Sequence, residues 1–193
     1  MAEPARVAVL ISGRGSNMAA LLYAARATDC PYDVVLVTGD RPDAPGLALA
    51  EAEGVRAERL TFEKDVFFER LHVALCDQSI GVIALAGFMR ILPAGFVTRW
   101  AGRIVNIHPS LLPRHRGLDT HRAVLAAGET VTGCTVHEVT AALDAGPILG
   151  STKVAVLPGD TVESLDERVR IAEHQLYPRL LAQFCARRNR PAS

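Results

Sequence analysis

Short apolar runs alternate along the chain with segments in which apolar residues recur at helical spacing. The apolar runs predict buried strands at residues 6–11, 33–38 and 82–86 and an apolar strand at residues 103–108. A weaker strand is predicted at residues 55–60, a partly alternating one at residues 130–140 and a further one at residues 148–156. The segments of helical period predict helices at residues 18–27, 47–53, 63–77, 93–100, 121–127 and 162–180. This alternation predicts an α/β fold with a doubly wound, mostly parallel sheet and helices on both faces. At 193 residues, the chain is expected to form one domain, residues 1–193.

The overall charge of the chain is balanced, with 21 basic and 21 acidic residues. Nucleic-acid-binding proteins usually carry a strongly basic face, and base-stacking platforms need more aromatic residues than the 5% found here. No stretch has the length of a membrane span, and the first residues do not resemble a signal peptide. We therefore expect a cytoplasmic protein that acts on small molecules, without a nucleic-acid or membrane partner.

The cysteines and histidines are dispersed along the chain. Four cysteines without a CxxC pair predict buried, reduced thiols and no disulfide framework. Six histidines without an HxH or HxxxH pair predict no metal site.

A glycine-containing loop, Ser12–Asn17, follows the first predicted strand and leads into the first helix. Backbone N–H groups at such a strand–loop–helix junction bind anions, and Ser16 is the expected N-cap. The loop is not a dinucleotide fingerprint, because Met18 stands where the third glycine belongs, and it lacks the Gly-Lys-Ser/Thr ending of a P-loop. The sequence therefore predicts a site for a phosphomonoester, with an ordinary tight turn as the alternative.

The predicted strand at residues 103–108 ends in two polar residues, Asn106 and His108. Because they are two residues apart, their side chains lie on the same side of a strand. An amide donor beside an imidazole at the carboxyl end of a strand suits proton transfer and stabilisation of an oxyanion. The alternative is a polar strand end with a satisfied histidine under the loop.

A third polar candidate, Asp144, lies in the predicted turn 143–147. An Asp, a His and an amide donor together suit acyl transfer, with Asp orienting the imidazole. The strained G-x-S-x-G elbow of serine hydrolases is absent, although Ser110 follows His108 closely. The nucleophile is therefore expected to belong to a substrate, such as an amine.

Four motifs in order resemble those of the phosphoribosylglycinamide formyltransferases, a folate-dependent family of purine synthesis. They are Ser12-Gly13-Arg14-Gly15-Ser16-Asn17, Ala86-Gly87-Phe88-Met89-Arg90-Ile91-Leu92, Asn106-Ile107-His108-Pro109-Ser110-Leu111-Leu112-Pro113 and Leu143-Asp144-Ala145-Gly146-Pro147. The resemblance extends over residues 7–181. It implies that formyl passes from 10-formyltetrahydrofolate, the co-substrate, to the amine of 5-phosphoribosylglycinamide, without a metal.

The resemblance also implies roles for individual residues. Asn106 would stabilise the oxyanion, His108 would act as general acid, and Asp144 would hold His108 and favour its charged form. The substrate's phosphate and ribose would be bound by Gly13, Arg14, Gly15, Ser16, Asn17, Arg170 and Glu173. The folate would be bound by Lys64, Met89, Arg90, Ile91, Leu92, Asn106, Thr140, Ala141 and Asp144. Residues 6–100 would form the phosphate-binding half, and residues 101–186 the folate and catalytic half.

Three alternatives remain open at this stage. The stretch Ser110–Gly117 also resembles methionyl-tRNA formyltransferase, but that enzyme is expected to carry a further basic C-terminal domain. A formyltetrahydrofolate hydrolase is expected to carry an N-terminal regulatory domain before the first strand. A non-catalytic folate- or nucleotide-binding module would not need Asn106, His108 and Asp144 together. The oligomeric state is open, with a homodimer as one alternative.

Overall fold

The computed structural model describes residues 3–63 and 66–189, which contain seven strands and six helices. The strands are β1 Ala5–Ile11, β2 Tyr32–Gly39, β3 Ala57–Arg59, β4 Val82–Leu85, β5 Ile104–His108, β6 Val131–Glu138 and β7 Ile148–Ala155. The helices are α1 Ser16–Ala25, α2 Pro45–Ala52, α3 Phe67–Asp77, α4 Ala94–Arg99, α5 Thr120–Ala126 and α6 Val162–Arg188. Every strand and helix predicted from the apolar pattern is present, and most bounds differ by four residues or fewer. Helix α6 continues eight residues beyond its predicted end, and residues 64 and 65 of the predicted helix 63–77 lie outside the described residues.

All seven strands form one sheet in the order β3-β2-β1-β4-β5-β6-β7. The pairs from β3 to β5 are parallel, whereas β5–β6 and β6–β7 are antiparallel. The mostly parallel sheet is therefore confirmed. The change of strand direction falls at β5, the strand that carries Asn106 and His108.

Each face of the sheet packs against its own set of helices. Alternate residues of β1 show this division, since Val9 faces the core formed with α1, α2, α5 and α6, and Leu10 faces the core formed with α3 and α4. Helices on both faces are thus confirmed. None of the described helices is long and apolar enough to span a bilayer.

Helix α6 fixes the centre of the sheet through a buried tyrosine. The hydroxyl oxygen of Tyr177 lies 3.0 Å from the carbonyl oxygen of Leu85 and 3.0 Å from that of Val105. These carbonyls belong to the neighbouring strands β4 and β5. The long helix therefore supports the sheet directly beneath the residue that precedes Asn106.

The spacing of Asp160 and Glu163 in the sequence predicts a capping box at the start of α6, and this prediction is wrong. The box is formed instead by Thr161, which accepts a hydrogen bond from the Ser164 backbone N–H, and by the Ser164 hydroxyl, which accepts from the Thr161 N–H. Asp160 is engaged elsewhere, because both its carboxylate oxygens accept hydrogen bonds from Arg168.

The cysteines are free, as expected. Cys134 and Cys185 are buried, and Cys30 is half-buried. Cys76 is exposed, so the expectation of a buried thiol is wrong there: the residue lies on the outer face of α3.

Candidate active site

The polar ends of β5 and β6 form the centre of the site. Across these antiparallel strands Asn106 pairs with His137, and His108 pairs with Thr135. Because side chains alternate along a strand, all four lie on one face of the sheet, while the intervening Ile107 packs into the opposite core. The prediction that Asn106 and His108 share a side is confirmed.

The imidazole of His108 is enclosed between a backbone carbonyl and a carboxylate, with only 5% of the residue exposed. Its Nε2–H donates a hydrogen bond of 2.8 Å to the carbonyl oxygen of His115. Its Nδ1 lies 3.5 Å from Oδ2 of Asp144. An imidazolium satisfies both oxygens, since it donates from both ring nitrogens.

Asp144 reaches this face from the connection between β6 and β7, with a left-handed backbone (φ 46°). Its Oδ2 accepts a 2.9 Å hydrogen bond from the Gly117 N–H, and its Oδ1 lies 3.6 Å from Nε2 of His137. Burial alone raises the pKa of the Asp144 carboxyl, but the contacts with His137 and Gly117 and the nearby His108 outweigh burial and lower it. Asp144 therefore faces the histidines as a carboxylate.

The Asn106 amide is oriented by a neighbouring histidine. Its nitrogen lies 3.2 Å from Nε2 of His137, and Nδ1 of His137 lies 2.9 Å from the Glu138 carbonyl oxygen. Since only an N–H can pair with that carbonyl, Nδ1 carries a proton, and in the tautomer with its single proton on Nδ1 the Nε2 atom accepts an Asn106 N–H. One amide N–H of Asn106 then remains for a ligand.

The glycine loop leads into α1 as predicted, with one correction to its cap. The N-cap of α1 is Gly15, in the left-handed region (φ 76°), and Ser16 is already the first helical residue. A glycine is needed there, because a Cβ would lie 3.0 Å from the Cα of Gly46. Arg14 is exposed, as expected for a residue between two glycines.

The start of α1 meets α6 through a buried polar pair. Nδ2 of Asn17 donates a 2.7 Å hydrogen bond to Oε2 of Glu173, which is 8% exposed. Burial raises the pKa of Glu173 to about 7, although the hydrogen bond from Asn17 opposes this shift. One turn away, Nη1 of Arg170 donates to Asp166 at 2.9 Å. The structure thus brings together three of the residues expected at the substrate's ribose and phosphate.

A family model described as formyl transferase matches residues 5–181, almost the whole chain. The chain belongs to the formyl transferase family. Phosphoribosylglycinamide formyltransferase of Escherichia coli (strain K12) is 40% identical to it over 182 residues, which cover 92% of this chain and 86% of the relative.

Two further formyl transferase relatives show how far the similarity extends. The trifunctional purine biosynthetic protein adenosine-3 of Bos taurus is 45% identical over 183 residues, which cover 93% of this chain. This chain spans only 18% of that protein's length. A solved structure of phosphoribosylglycinamide formyltransferase from Brucella melitensis matches with a TM-score of 0.91 and 46% identity, covering 95% of this chain and 97% of the other.

The segments expected to contact folate lie at the surface of this formyl transferase. Met89 is 62% exposed and Ile91 77% exposed. Nε of Arg90 donates to the buried Asp40 at 2.5 Å, and Leu92 is half-buried. Thr140 and Ala141 are exposed in the connection that carries Asp144. Lys64 lies outside the described residues.

Two histidines of the formyl transferase lie closer to the site than the residues alone indicated. His137, which taken alone looks like a core histidine, contacts both Asn106 and Asp144. His121 was expected to be solvated or to cap its helix, but it is buried with Nε2 3.6 Å from Asp166. Burial lowers the pKa of His121, and the Asp166 carboxylate opposes that shift. The alternation of β6 put His137 on the side of Thr135, and the family resemblance implied a place in the active-site wall, whereas His121 had no signal.

Metal ligands do not cluster in the part of the chain that the structure describes: no group of three His, Cys, Asp or Glu side chains there could hold an ion.

We expect the buried Glu173 to make stability depend on pH. Because its folded pKa of about 7 lies above the ordinary value of 4.5, its contribution is fully present below pH 4.5 and is lost as the pH rises through 7. Between pH 5 and 8 the wild type should lose on the order of 2–3 kcal/mol of unfolding free energy relative to Glu173→Gln. Urea denaturation at pH 5, 6, 7 and 8 measures this difference.

The matched control is Glu167→Gln, on the exposed face of the same helix. The unfolding free energy of this control is expected to follow that of the wild type at every pH. If the unfolding free energy of Glu173→Gln does the same, the buried carboxyl of Glu173 does not titrate in that range.

Proposed function

We propose that this formyl transferase moves a formyl group from 10-formyltetrahydrofolate to the amine of 5-phosphoribosylglycinamide. The observation that carries this proposal is the convergence of Asn106, His108 and Asp144 on one face of the sheet. An amide donor, an imidazole and a carboxylate suit acyl transfer to a nucleophile that the substrate brings. The similarity to the Escherichia coli enzyme, over 86% of its length, supports the choice of substrates.

In the proposed reaction the substrate's amine attacks the formyl carbon, whose carbonyl oxygen becomes an oxyanion. The free N–H of Asn106 donates to that oxyanion, which forms only along the reaction path. As the tetrahedral intermediate collapses, the bond to the folate nitrogen breaks, and that nitrogen takes up a proton. The attacking amine loses one proton, so the overall transfer is balanced.

His108 is assigned the proton transfers, with Asp144 as its partner. The carboxylate of Asp144 lies near Nδ1, where it orients the ring and stabilises the protonated form during turnover. Asp144 itself is fixed by the Gly117 N–H. Burial of both groups keeps bulk water away from the proton path.

The two substrates are assigned to opposite sides of this catalytic group. The backbone N–H groups of residues 13–17 would bind the phosphate at the start of α1, with Arg14 as an exposed additional cation. Arg170 and Glu173 would bind the ribose and phosphate end. The folate ring would lie against Met89–Leu92 and residues 140–144, and Lys64 would contact the folate.

The proposal extends to the setting in which the chain works. We propose a single formyltransferase domain, with a phosphate-binding half at residues 6–100 and a folate and catalytic half at residues 101–186. Its partners would be small molecules in the cytoplasm, without nucleic acid or membrane.

The decisive experiment mixes the protein with 10-formyltetrahydrofolate and 5-phosphoribosylglycinamide and follows loss of the formyl-folate by absorbance. We expect turnover that depends on the ribonucleotide. Equal loss without the ribonucleotide would identify a hydrolase. Formylation only when methionyl-tRNA is supplied would identify the tRNA enzyme, and no turnover with either would indicate a binding module.

In the glycine loop, Gly15→Ala should raise the KM for the ribonucleotide at least tenfold. A side chain at φ 76° costs about 1–2 kcal/mol, and its Cβ would press on Gly46, so the N–H groups would shift. Gly13→Ala is the matched control, because a Cβ there meets nothing within 4 Å. Arg14→Ala should raise this KM only several-fold, since an exposed charge contributes little.

Steady-state kinetics with the ribonucleotide varied give all three values. If Gly13→Ala or Arg14→Ala is more damaging than Gly15→Ala, the backbone cradle is not the main phosphate contact.

A further inference from the structure

Two side chains of the loop that follows β5 are bound by one carboxylate. We call residues 109–119 the active-site loop. Glu129, in the turn between α5 and β6, accepts a hydrogen bond from the Arg114 guanidinium, and its Oε1 lies 2.8 Å from Nε2 of His115. Only 13% of the Glu129 side chain is exposed. We call these contacts of Glu129 with Arg114 and His115 the loop anchor.

The anchored residue His115 also contacts the central histidine of the site. Its side chain reaches Glu129, and its carbonyl oxygen accepts the 2.8 Å hydrogen bond from Nε2–H of His108. The backbone of His115 is left-handed (φ 50°), a conformation that costs a non-glycine residue energy and needs support from its surroundings. The loop anchor provides that support by binding the His115 side chain.

Within the loop, the Ser110 hydroxyl donates to the carbonyl oxygen of Arg114 at 2.6 Å and lies 3.3 Å from that of His115. The supports from outside the loop act at different points. Thr135 holds its beginning, donating to the carbonyl oxygen of Ser110 and accepting from the Leu112 N–H. Further along, the Gly117 N–H donates to Asp144. Between these two points of the loop, Glu129 accepts hydrogen bonds from the side chains of Arg114 and His115. A change at Glu129 therefore acts first on His115, and through its carbonyl on His108.

We propose that Glu129 is a positioning residue for His108, acting through the loop anchor; this inference rests on the proposed formyl transfer. Glu129 keeps the His115 carbonyl in place, and that carbonyl fixes the ring of His108 with Nδ1 toward Asp144. Because a displacement of about 1 Å at a reacting group can cost up to ~100-fold in rate, loss of the anchor lowers turnover without removing a substrate contact.

The first arm of the test is kinetic. Glu129→Gln keeps the size of the side chain and removes the charge. We expect kcat to fall about tenfold, while the KM values for formyl-folate and ribonucleotide change less than about threefold. Glu129→Asp, which keeps the charge, should recover part of kcat.

His115→Gln changes the residue of the loop that binds Glu129, and it should lower kcat in the same way. It guards against a folding defect specific to position 129.

The matched control is Glu51→Gln, which also removes a carboxylate that accepts hydrogen bonds from an arginine, Arg59. That pair joins α2 and β3, far along the sheet from β5. Glu51→Gln should leave kcat unchanged. If Glu129→Gln and His115→Gln have the kcat of this control, the proposal is wrong.

The second arm does not depend on activity. Arg114 and Arg116 are exposed in the active-site loop, so trypsin can report how firmly the loop is held. Glu129→Gln should be cleaved after these two residues several-fold faster than the wild type, as identified by mass, and Glu51→Gln should not. Unchanged cleavage together with a lower kcat would contradict positioning through the loop.

The two proposals fail in different ways. If the wild type transfers no formyl group, the proposed function fails, and the cleavage rates then decide whether the loop anchor exists. If the wild type is active and the position-129 variants match the control in kcat, only the role of Glu129 fails.

Discussion

Replacement of His108 by alanine is expected to lower kcat by 10²–10⁴-fold, roughly the contribution of a positioned general acid or base. The effect should be large because His108 is the imidazole that lies against Asp144 on the assigned reaction face. The KM for formyl-folate should stay within about threefold, since the proposed role of His108 lies in the transition state. Steady-state kinetics, with binding of a non-reactive folate analogue as a second measurement, test both parts.

The control for His108→Ala is His72→Ala. His72 lies half-buried on α3 and accepts a hydrogen bond from Trp100, so its removal tests the cost of losing a histidine away from the site. That variant should keep the wild-type kcat. Weak folate binding by His108→Ala, with normal turnover at saturation, would show that His108 binds substrate and does not carry the proton.

Replacement of Asn106 by alanine is expected to lower kcat by about 10²–10³-fold, or about 3 kcal/mol of transition-state stabilisation. In the proposed mechanism His137 accepts one amide N–H of Asn106, and the other N–H donates to the developing oxyanion. Asn106→Asp has nearly the same shape but donates no hydrogen bond, so it should be at least as slow as Asn106→Ala.

Single-turnover measurements of both Asn106 variants at saturating substrates isolate the chemical step. An active Asn106→Asp variant would contradict the oxyanion role. A thermal stability of both variants equal to that of the wild type would show that the lost activity does not come from unfolding.

The strands and the shared face of Asn106 and His108 could be predicted because they depend on local periodicity. A strand has a two-residue repeat, and the apolar run before Asn106 fixes which residues point into the core. The same rule applied to β6 puts Thr135 and His137 on one side. It does not give the pairing of His137 with Asn106, which depends on how β5 and β6 align.

The contact between Asp144 and His108 could not be predicted from the residues alone. It depends on the β6–β7 connection folding back over the sheet, and on the Gly117 N–H that fixes the carboxylate. The residue types suggested an Asp that orients a His, but only the family resemblance assigned Asp144 to His108. The burial of His121 and Glu173 could not be predicted from the sequence either, because it depends on how α5 and α6 pack.

The predicted N-cap of α1 and the predicted capping box of α6 were each wrong by one residue, for a shared physical reason. At α1 the chain turns through Gly15, and at α6 Thr161 provides the cap while Asp160 pairs with Arg168. Neighbouring polar residues are interchangeable as caps in a sequence. The backbone turn and a partner distant along the chain decide which one is used.

The antiparallel pairing of β5 with β6 limits how this protein can evolve. Insertion or deletion of one residue within β6 would replace His137 and Thr135 opposite Asn106 and His108 with apolar neighbours such as Val136. The altered chain would turn histidine into the core and a valine toward the substrates in a single step. Length variation among descendants of this chain should therefore collect in its surface connections, while β6 accepts substitutions but no change in length.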